Sequence, residues 1–330
     1  MARNALISAA RLAMIESRQR QRRWGSEYVP SMKATRDEAP TTSRPSTLYS
    51  TKLERTIHLM SLPERAASVL ALYHPALFDL HEQHMLFPFP ATHPLEGHPK
   101  AAGLNLPDVL GTIDVAQRLN MLSKHPTVNI EMRDTPGETT VRRAAFPYIG
   151  DLLLFLEDAE GPYCVNWTVK RDQSSFSNGL PGPLSHLKKD RNANERRHAL
   201  EEQYFADASI KTVRVAASDI DTQLVANLTT LAAYDARTLS VPNELISILV
   251  EQFQKLVWLQ QPVISILPNL VERTGLDRST CLAIFYRAVW SRLVRVDLYR
   301  PILPDKPLRP ERTDILEDFR QWFDRGNLCK

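Results

Sequence analysis

Two residues on neighbouring predicted strands have side chains suited to hydrolysis chemistry. Asp151 stands at the start of an apolar run, and Lys170 ends a second run that begins at Tyr163. The turn-like segment 157–162 joins the two runs, and this pattern predicts an antiparallel hairpin. Antiparallel pairing brings the first residue of one strand and the last residue of the next to the same end of the sheet. The sequence therefore predicts a carboxylate beside an ammonium group.

Glu64 adds a second carboxylate from a predicted helix. Ser61 is a suitable helix N-cap, and Glu64 follows it at the spacing of a capping box. Ala67, Leu70 and Ala71 form an apolar stripe that should face the core. Glu64 lies on or beside that face in the first turn, so its side chain can reach a sheet edge.

Together the three charges match the needs of metal-assisted phosphodiester hydrolysis. Carboxylates hold Mg²⁺, and a cation steers the attacking water and offsets charge on the scissile phosphate. Taken alone, the residues leave two other interpretations open. Glu64 can serve only as a helix cap, and Asp151 and Lys170 can be solvated charges at the rim of a sheet.

The composition is that of a folded protein with no strong overall charge. The chain has 330 residues, 43% of them hydrophobic, and a net charge of +3. This length accommodates two domains, and any binding of nucleic acid must come from local patches. The three cysteines are far apart in sequence, which argues against a structural zinc site. No apolar segment approaches the length that spans a bilayer, so we expect a cytoplasmic protein without membrane contact.

Several clusters of cations are candidates for contact with DNA phosphates. Four arginines precede Trp24, whose ring could stack on a base. An arginine pair ends the proline-rich stretch 90–145, which is expected to be mostly loop. A solvated surface is the alternative for each cluster. The candidate DNA-contacting residues are Arg20, Arg22, Arg23, Arg142, Arg143, Lys188 and Lys189.

Six collinear sequence blocks resemble the TnsA family, the endonuclease subunits of heteromeric transposases in bacterial Tn-seven-type transposons. The resemblance covers roughly residues 20 to 220. The blocks are Gly-Ser-Glu-Tyr-Val-Pro at 25–30, Arg-Pro-Ser-Thr-Leu-Tyr-Ser at 44–50, His-Leu-Met-Ser-Leu-Pro-Glu at 58–64, Phe-Asp-Leu-His-Glu-Gln at 78–83, Gly-Asp at 150–151 and Thr-Val-Lys at 168–170.

The resemblance implies a fold and a set of site residues. It implies an α/β restriction-endonuclease-like core at 51–237, after a basic arm and linker at 1–50. A winged-helix-like domain is expected at 238–330, built from helices at 243–259, 262–273 and 278–293 and a strand at 294–299.

Glu64, Asp151 and Lys170 match the catalytic positions of the family. The chain has glycine at 150, where the broader restriction-endonuclease pattern has proline, and Thr168 where that pattern has an acid. One carboxylate ligand is therefore missing. The expected metal ligands are Glu64, Asp151 and a backbone carbonyl of Thr168 or Val169, an oxygen set that suits Mg²⁺, with Mn²⁺ able to substitute.

The resemblance also implies a role and partners. The chain would cleave the 5′ ends of a transposon while a TnsB-like transposase cuts and joins the 3′ ends, with a TnsC-like ATPase as regulator. It would then be a bacterial cytoplasmic protein, associated with the nucleoid when active. Two alternatives are a catalytically inactive DNA-bridging subunit and a stand-alone restriction-like nuclease.

Overall fold

The chain folds as a mixed α/β protein. The computed structural model describes residues 7–41, 43–135, 138–177 and 193–326. The predicted DNA-contacting residues Lys188 and Lys189 lie outside these ranges. The helices are α1 Ala9–Gln19, α2 Leu62–Tyr73, α3 Thr112–Arg118, α4 Ser174–Ser177, α5 Ala193–Ala206, α6 Thr222–Asp235, α7 Asn243–Leu259, α8 Leu267–Thr274, α9 Arg278–Trp290, α10 Ile315–Asp318 and α11 Arg320–Phe323. The strands are β1 Ser46–Ser50, β2 Arg55–Leu59, β3 Leu77–Leu86, β4 Thr127–Thr135, β5 Glu138–Ala145, β6 Tyr148–Asp158, β7 Gly161–Lys170 and β8 Lys211–Ala216.

The predicted hairpin is the centre of a four-stranded sheet. The strand order is β3-β6-β7-β8, with β3, β6 and β7 antiparallel and β8 parallel to β7. Leu152 pairs with Trp167, and the hairpin closes between Asp158 and Gly161. The connection from β7 to the parallel strand β8 runs through α5, since parallel strands need a crossover.

Helices cover both faces of this sheet. Side chains alternate between faces along a strand, and β6 is buried on both sides. Leu152 and Leu154 belong to the core under α2 and α6, whereas Leu153 and Phe155 belong to the core under α5. Because both faces are covered, the strand reads as a continuous apolar run rather than an alternating one.

The C-terminal segment packs against the same core. Helix α9 packs on α6, and the first core cluster includes buried residues from β7 and from the last two helices. The indole Nε1 of Trp167 donates to the carbonyl of Trp322 at 2.8 Å, and the ring of Phe323 lies 5.0 Å from that of Trp167. The boundary at residue 238 stays a prediction, but residues from both sides of it belong to the same hydrophobic core.

Two expectations about secondary structure are wrong. The strand predicted at 294–299 is absent, and only an isolated bridge joins Val296 to Pro310. Val294, Val296 and Leu298 are buried, which explains their strand-like alternation. The facing segment is rich in proline, and prolines lack the N–H that a ladder requires. The wing that motivated the winged-helix interpretation is therefore not formed.

The second wrong expectation concerns only the last part of 90–145, because 90–126 is loop around the short helix α3, whereas strands follow it. Strands β4 and β5 form an antiparallel hairpin of their own, in which Thr127 pairs with Ala145. The sheet is two-stranded and stands apart from the central one. Several prolines precede this hairpin, and they led to the prediction of loop in the strands that follow them.

We expect Trp322→Ala to destabilise the whole chain. Trp322 is only 8% exposed, and emptying such a site typically lowers the free energy of unfolding by about 3–5 kcal/mol. The measurement is urea unfolding followed by fluorescence and far-UV circular dichroism. Trp258→Ala is the matched control, because Trp258 is 82% exposed. A variant whose sheet unfolds at the wild-type midpoint would show that the C-terminal segment is an independent unit.

Candidate active site

The hairpin places Asp151 and Lys170 together, as expected. The N–H of Val169 donates to Asp151 Oδ2 at 2.7 Å, and Lys170 Nζ approaches the same oxygen at 3.4 Å. Lys170 Nζ also donates to the carbonyl of Val169 at 3.0 Å. The carboxylate is thus held by a backbone group of the neighbouring strand.

Glu64 caps its helix and also lies in the site. Ser61 is the N-cap of α2, and Glu64 Oε1 accepts from Ser61 Oγ at 2.8 Å. Glu64 Oε2 accepts from the N–H of Met60 at 2.8 Å and from Gln83 Nε2 at 2.9 Å. The capping interpretation is confirmed in a modified form, because the carboxylate reaches the residue before the cap. It does not exclude a second role.

These three residues line one cleft. Its volume is ≈ 330 Å³. Helix α2 forms one wall, the ends of β6 and β7 form the floor, and the segment after β7 and the start of α5 complete it. The lining residues are Ser61, Pro63, Glu64, Asp151, Val169, Lys170, Arg171, Ser175 and Asn194.

Glu64 and Asp151 line the cleft together with the cations Lys170 and Arg171, and of these four residues only Glu64 is buried. Burial raises the pKa of Glu64 to about 7, and the nearby charge of Asp151 acts in the same direction. The Met60 and Ser61 hydrogen bonds and the Lys170 charge oppose this rise in the pKa of Glu64 without cancelling it. Two carboxylates that share a site disfavour joint ionisation, and a bound cation would relieve that repulsion.

The oxygen donors of the cleft suit a magnesium ion that keeps several of its waters, and they are too few to enclose a metal with protein ligands alone. Within the described ranges, no group of three His, Cys, Asp or Glu residues is placed to hold a metal. Glu64 and Asp151 are therefore two carboxylate candidates that would need carbonyl and water ligands beside them. Magnesium is often held by one or two carboxylates with several waters retained. The Thr168 hydroxyl points to Glu201 at 3.0 Å, so the candidate oxygen of Thr168 is its carbonyl.

Packing against the neighbouring strand explains why position 150 is glycine, which the sequence alone did not indicate. A Cβ atom at this position would lie 2.3 Å from the ring of His84 on the neighbouring strand. His84 is buried and pairs directly with Gly150 across β3 and β6. Any larger residue before Asp151 would displace that ring.

Gln83 contacts the site from the neighbouring strand β3. It lies in β3 between two paired residues, opposite Asp151, and its backbone φ is 49°. A left-handed φ is unusual for a non-glycine residue and points to a local constraint. Its amide donates to Glu64, as described above. The neighbouring Glu82 has a structural role instead, because it is buried in an ion pair with Arg55 at 2.8 Å.

The structure separates the predicted DNA-contacting residues into two groups. Arg22 is half-buried and lies over the ring of Phe87 at 5.5 Å. Trp24 is half-buried, and its ring packs 5.0 Å from that of Phe155, which favours a structural role over stacking on a base. Arg23 is half-buried as well.

The other group is exposed. Arg20, Arg142 and Arg143 have exposed side chains, and Arg143 Nε donates to Thr127 Oγ1 at 2.7 Å. Arg20 and Arg143 line a second cleft of ≈ 760 Å³ between α1 and the β4–β5 hairpin. These residues stay candidates for phosphate contact.

Comparison with known proteins gives no family assignment. No protein-family model matches the chain, and no curated protein matches it significantly. The resemblance to TnsA therefore rests on the sequence blocks given above. Among the described helices, none combines the length and apolar character needed to cross a bilayer.

The raised pKa of Glu64 predicts a pH-dependent stability in the absence of metal. Ordinary and raised values of 4.5 and about 7 correspond to a difference of about 3 kcal/mol. Because the folded-state pKa is the higher one, this contribution is fully present below pH 4.5 and is lost as pH rises through about 7. We expect wild type to lose stability relative to Glu64→Gln between pH 5 and 8, measured by urea unfolding in EDTA. Parallel stability curves for the two proteins would contradict a perturbed Glu64.

Proposed function

We propose that this chain is a Mg²⁺-dependent DNA endonuclease that cuts the 5′ ends, the non-transferred strands, of a transposon. The observation that supports this most is the convergence of Glu64, Asp151 and Lys170 on one cleft. The mixed α/β fold is compatible with a restriction-endonuclease-like core, for which we propose the elements α2, β3, β6, β7, α5 and β8, with α3, β4, β5 and α4 as insertions. The proposal joins this geometry to the TnsA resemblance of the sequence blocks.

The three charged residues of the site and their neighbours have distinct roles in this proposal. Glu64 and Asp151 supply carboxylate oxygens, and the carbonyl of Thr168 or Val169 adds a neutral one. Bound Mg²⁺ would polarise the scissile phosphate and lower the pKa of a water molecule, and Mn²⁺ suits the same oxygen donors. Lys170 has its ammonium group in the cleft, where it can donate to the attacking water or to a phosphate oxygen. Gln83 holds the Glu64 carboxylate in place.

The C-terminal segment is proposed to contact the partners, a TnsB-like transposase and a TnsC-like ATPase. Trp258 and Leu259 at the end of α7 are 82% and 64% exposed. Leu293 is also exposed, and its carbonyl accepts a hydrogen bond at 2.9 Å from Gln254, one turn before Trp258 on α7. Exposed aromatic residues next to aliphatic ones are typical of energetically important positions at protein interfaces.

The alternatives differ in what the purified chain would do. A stand-alone restriction-like nuclease would cut DNA without partners, whereas the proposed subunit cuts only inside the assembled transposase. A DNA-bridging subunit without activity would need no metal. The presence of both carboxylates and the lysine in one cleft favours the enzyme over that last interpretation.

We expect Asp151→Ala to abolish 5′-strand cleavage in a reconstituted transposition reaction. Removing a residue that binds the reacting groups should lower the rate by on the order of 10³-fold or more. Joining of 3′ ends by the partner should continue, so products should shift from simple insertions toward cointegrates. Asp158→Ala is the matched control, because Asp158 lies at the opposite end of β6 and pairs with Arg325. Normal 5′ cleavage by the Asp151 variant would refute the site.

We expect Trp258→Ala to weaken binding of the ATPase partner while leaving the fold intact. Loss of a central interface tryptophan typically costs about 2 kcal/mol or more, which is about 30-fold in affinity. The measurement is titration of the labelled chain with the ATPase, with Leu303→Ala as a control from another exposed apolar position. Equal affinities for wild type and the Trp258 variant would place the partner surface elsewhere.

A further inference from the structure

A second, larger cleft opens near the start of strand β6, close to the catalytic one. It is the ≈ 760 Å³ cleft between α1 and the β4–β5 hairpin, and Met85 and Pro147 are among the residues that line it. Met85 pairs with Ile149 across β3 and β6, and Pro147 immediately precedes β6. Asp151 lies four positions after Pro147, so at most about 14 Å separates the two residues. DNA that crosses the catalytic cleft can therefore reach the second cleft.

The walls of this second cleft are mainly apolar. Leu12 comes from α1 and Ile130 from the hairpin, while Phe87 and Phe89 come from the segment after β3. A DNA duplex presents phosphates, sugars and base edges to a protein, and none of these groups fills an apolar cleft. The faces of unpaired bases are apolar and stack on aromatic side chains. The cleft therefore suits unpaired nucleotides better than a duplex.

Phe89 presents an exposed aromatic ring on a constrained backbone. Its side chain is 64% exposed. Pro88 and Pro90 flank it, and the carbonyl of Pro88 accepts from the N–H of Ile113 at 3.1 Å. Gly111 lies so close that a Cβ atom there would be 2.6 Å from the carbonyl carbon of Phe89. A ring held in this way loses little conformational freedom when a base stacks on it, which favours binding.

Two arginines of the second cleft are placed to hold phosphate groups. Arg20 and Arg143 line it, and both side chains are exposed. Arg20 pairs with Glu16 at 3.3 Å, and Glu16 is the one acid among the described residues of the lining. Arg143 donates to the neutral hydroxyl of Thr127. A guanidinium group has five N–H donors, so both arginines keep donors for a phosphate.

We propose that the second cleft binds unpaired nucleotides of the DNA beside the scissile phosphate, with a base stacked on Phe89 and phosphates held by Arg20 and Arg143. One DNA strand advances about 3.4 Å per nucleotide along the helix axis, so these nucleotides lie within about four positions of the cut. The cleft thereby selects DNA whose strands are separated near the cleavage position. The inference rests on the proposed function, because the catalytic cleft determines which DNA passes the second one.

The test measures DNA binding by the full chain in EDTA, where cleavage does not interfere. The probes are a fluorescein-labelled, fully paired duplex and the same duplex with a short run of mismatched thymines at its centre, and the readout is fluorescence anisotropy. Phe89→Ala removes the ring, whereas Phe89→Tyr keeps an aromatic ring at the same place. Leu104→Ala is the matched control, because Leu104 is 43% exposed and does not line the cleft.

We expect the wild type to bind the mismatched duplex more tightly than the paired one. Phe89→Ala should weaken binding of the mismatched duplex by about 10-fold, the typical effect of losing one stacked ring, and leave binding of the paired duplex unchanged. Phe89→Tyr and Leu104→Ala should bind both probes as wild type does. Arg143→Gln should weaken binding of both duplexes and reduce its salt dependence, because a phosphate contact does not depend on base pairing.

Equal affinities of the wild type for the two duplexes would overturn the inference. So would a Phe89→Ala protein that keeps the wild-type preference for the mismatched duplex, including one that instead loses binding of the TnsB-like transposase, since the cleft would then be a protein-docking surface. If Phe89→Ala does not fold, Phe89→Leu keeps an apolar side chain without the ring. It should lose the preference, and a retained preference would refute stacking.

The binding assay separates this inference from the proposed function. If the preference depends on Phe89 but no 5′ cleavage is found with the partners present, the inference stands and the proposed function fails. If 5′ cleavage is found and the preference is absent, the proposed function stands and the inference fails.

Discussion

Glu64 and Asp151 lie in one partly buried cleft with Lys170, and hydrogen bonds from several elements hold the two carboxylates there. Glu64 is tied by the N–H of Met60, by Ser61 and by Gln83, while Asp151 is tied by the N–H of Val169. The hydrogen bonds to Glu64 favour its ionised form, whereas burial and the nearby charge of Asp151 raise the pKa of Glu64. The raised pKa of Glu64 and the two carboxylates in one cleft are the physical basis for the proposed metal site.

The elements around the cleft are held by packing on both faces of the sheet. Helix α2 delivers Glu64 and rests on one face, where α6, α9 and the C-terminal segment continue the same core. Helix α5 rests on the other face and delivers Glu201. Trp167 links the two halves of the chain, since its indole bonds to the backbone of the C-terminal segment. The position of the site thus depends on residues far from it in sequence.

Buried polar groups near the cleft differ in how they are compensated. Glu82 is paired with Arg55 and accepts from the N–H of His58 at 3.0 Å, so its role is structural. Glu201 is buried with two neutral donors, Asn166 and Thr168, whereas the ring nitrogens of His198 have no hydrogen-bond partner among the described residues. A buried polar atom without a partner is unfavourable for stability.

The sequence by itself determined the local parts of this protein. The hairpin of β6 and β7, the N-cap at Ser61, the helix α7 and the neighbourhood of Asp151 and Lys170 follow from short-range periodicity, turn residues and fixed spacings. Short-range patterns are readable because the interacting residues are a few positions apart in the chain.

Only the tertiary structure decided the features that depend on contacts between segments far apart in the sequence. The strand pattern at 294–299 failed for lack of a partner strand, and Trp24 became a packing residue because His81 and Phe155 surround its ring. The contact from Gln83 depends on a left-handed backbone conformation that its residue type does not predict. The contact between Thr168 and Glu201 depends on how α5 packs on the sheet. These contacts depend on how the helices pack on the two faces of the sheet. The spacing of residues along the sequence does not specify that packing.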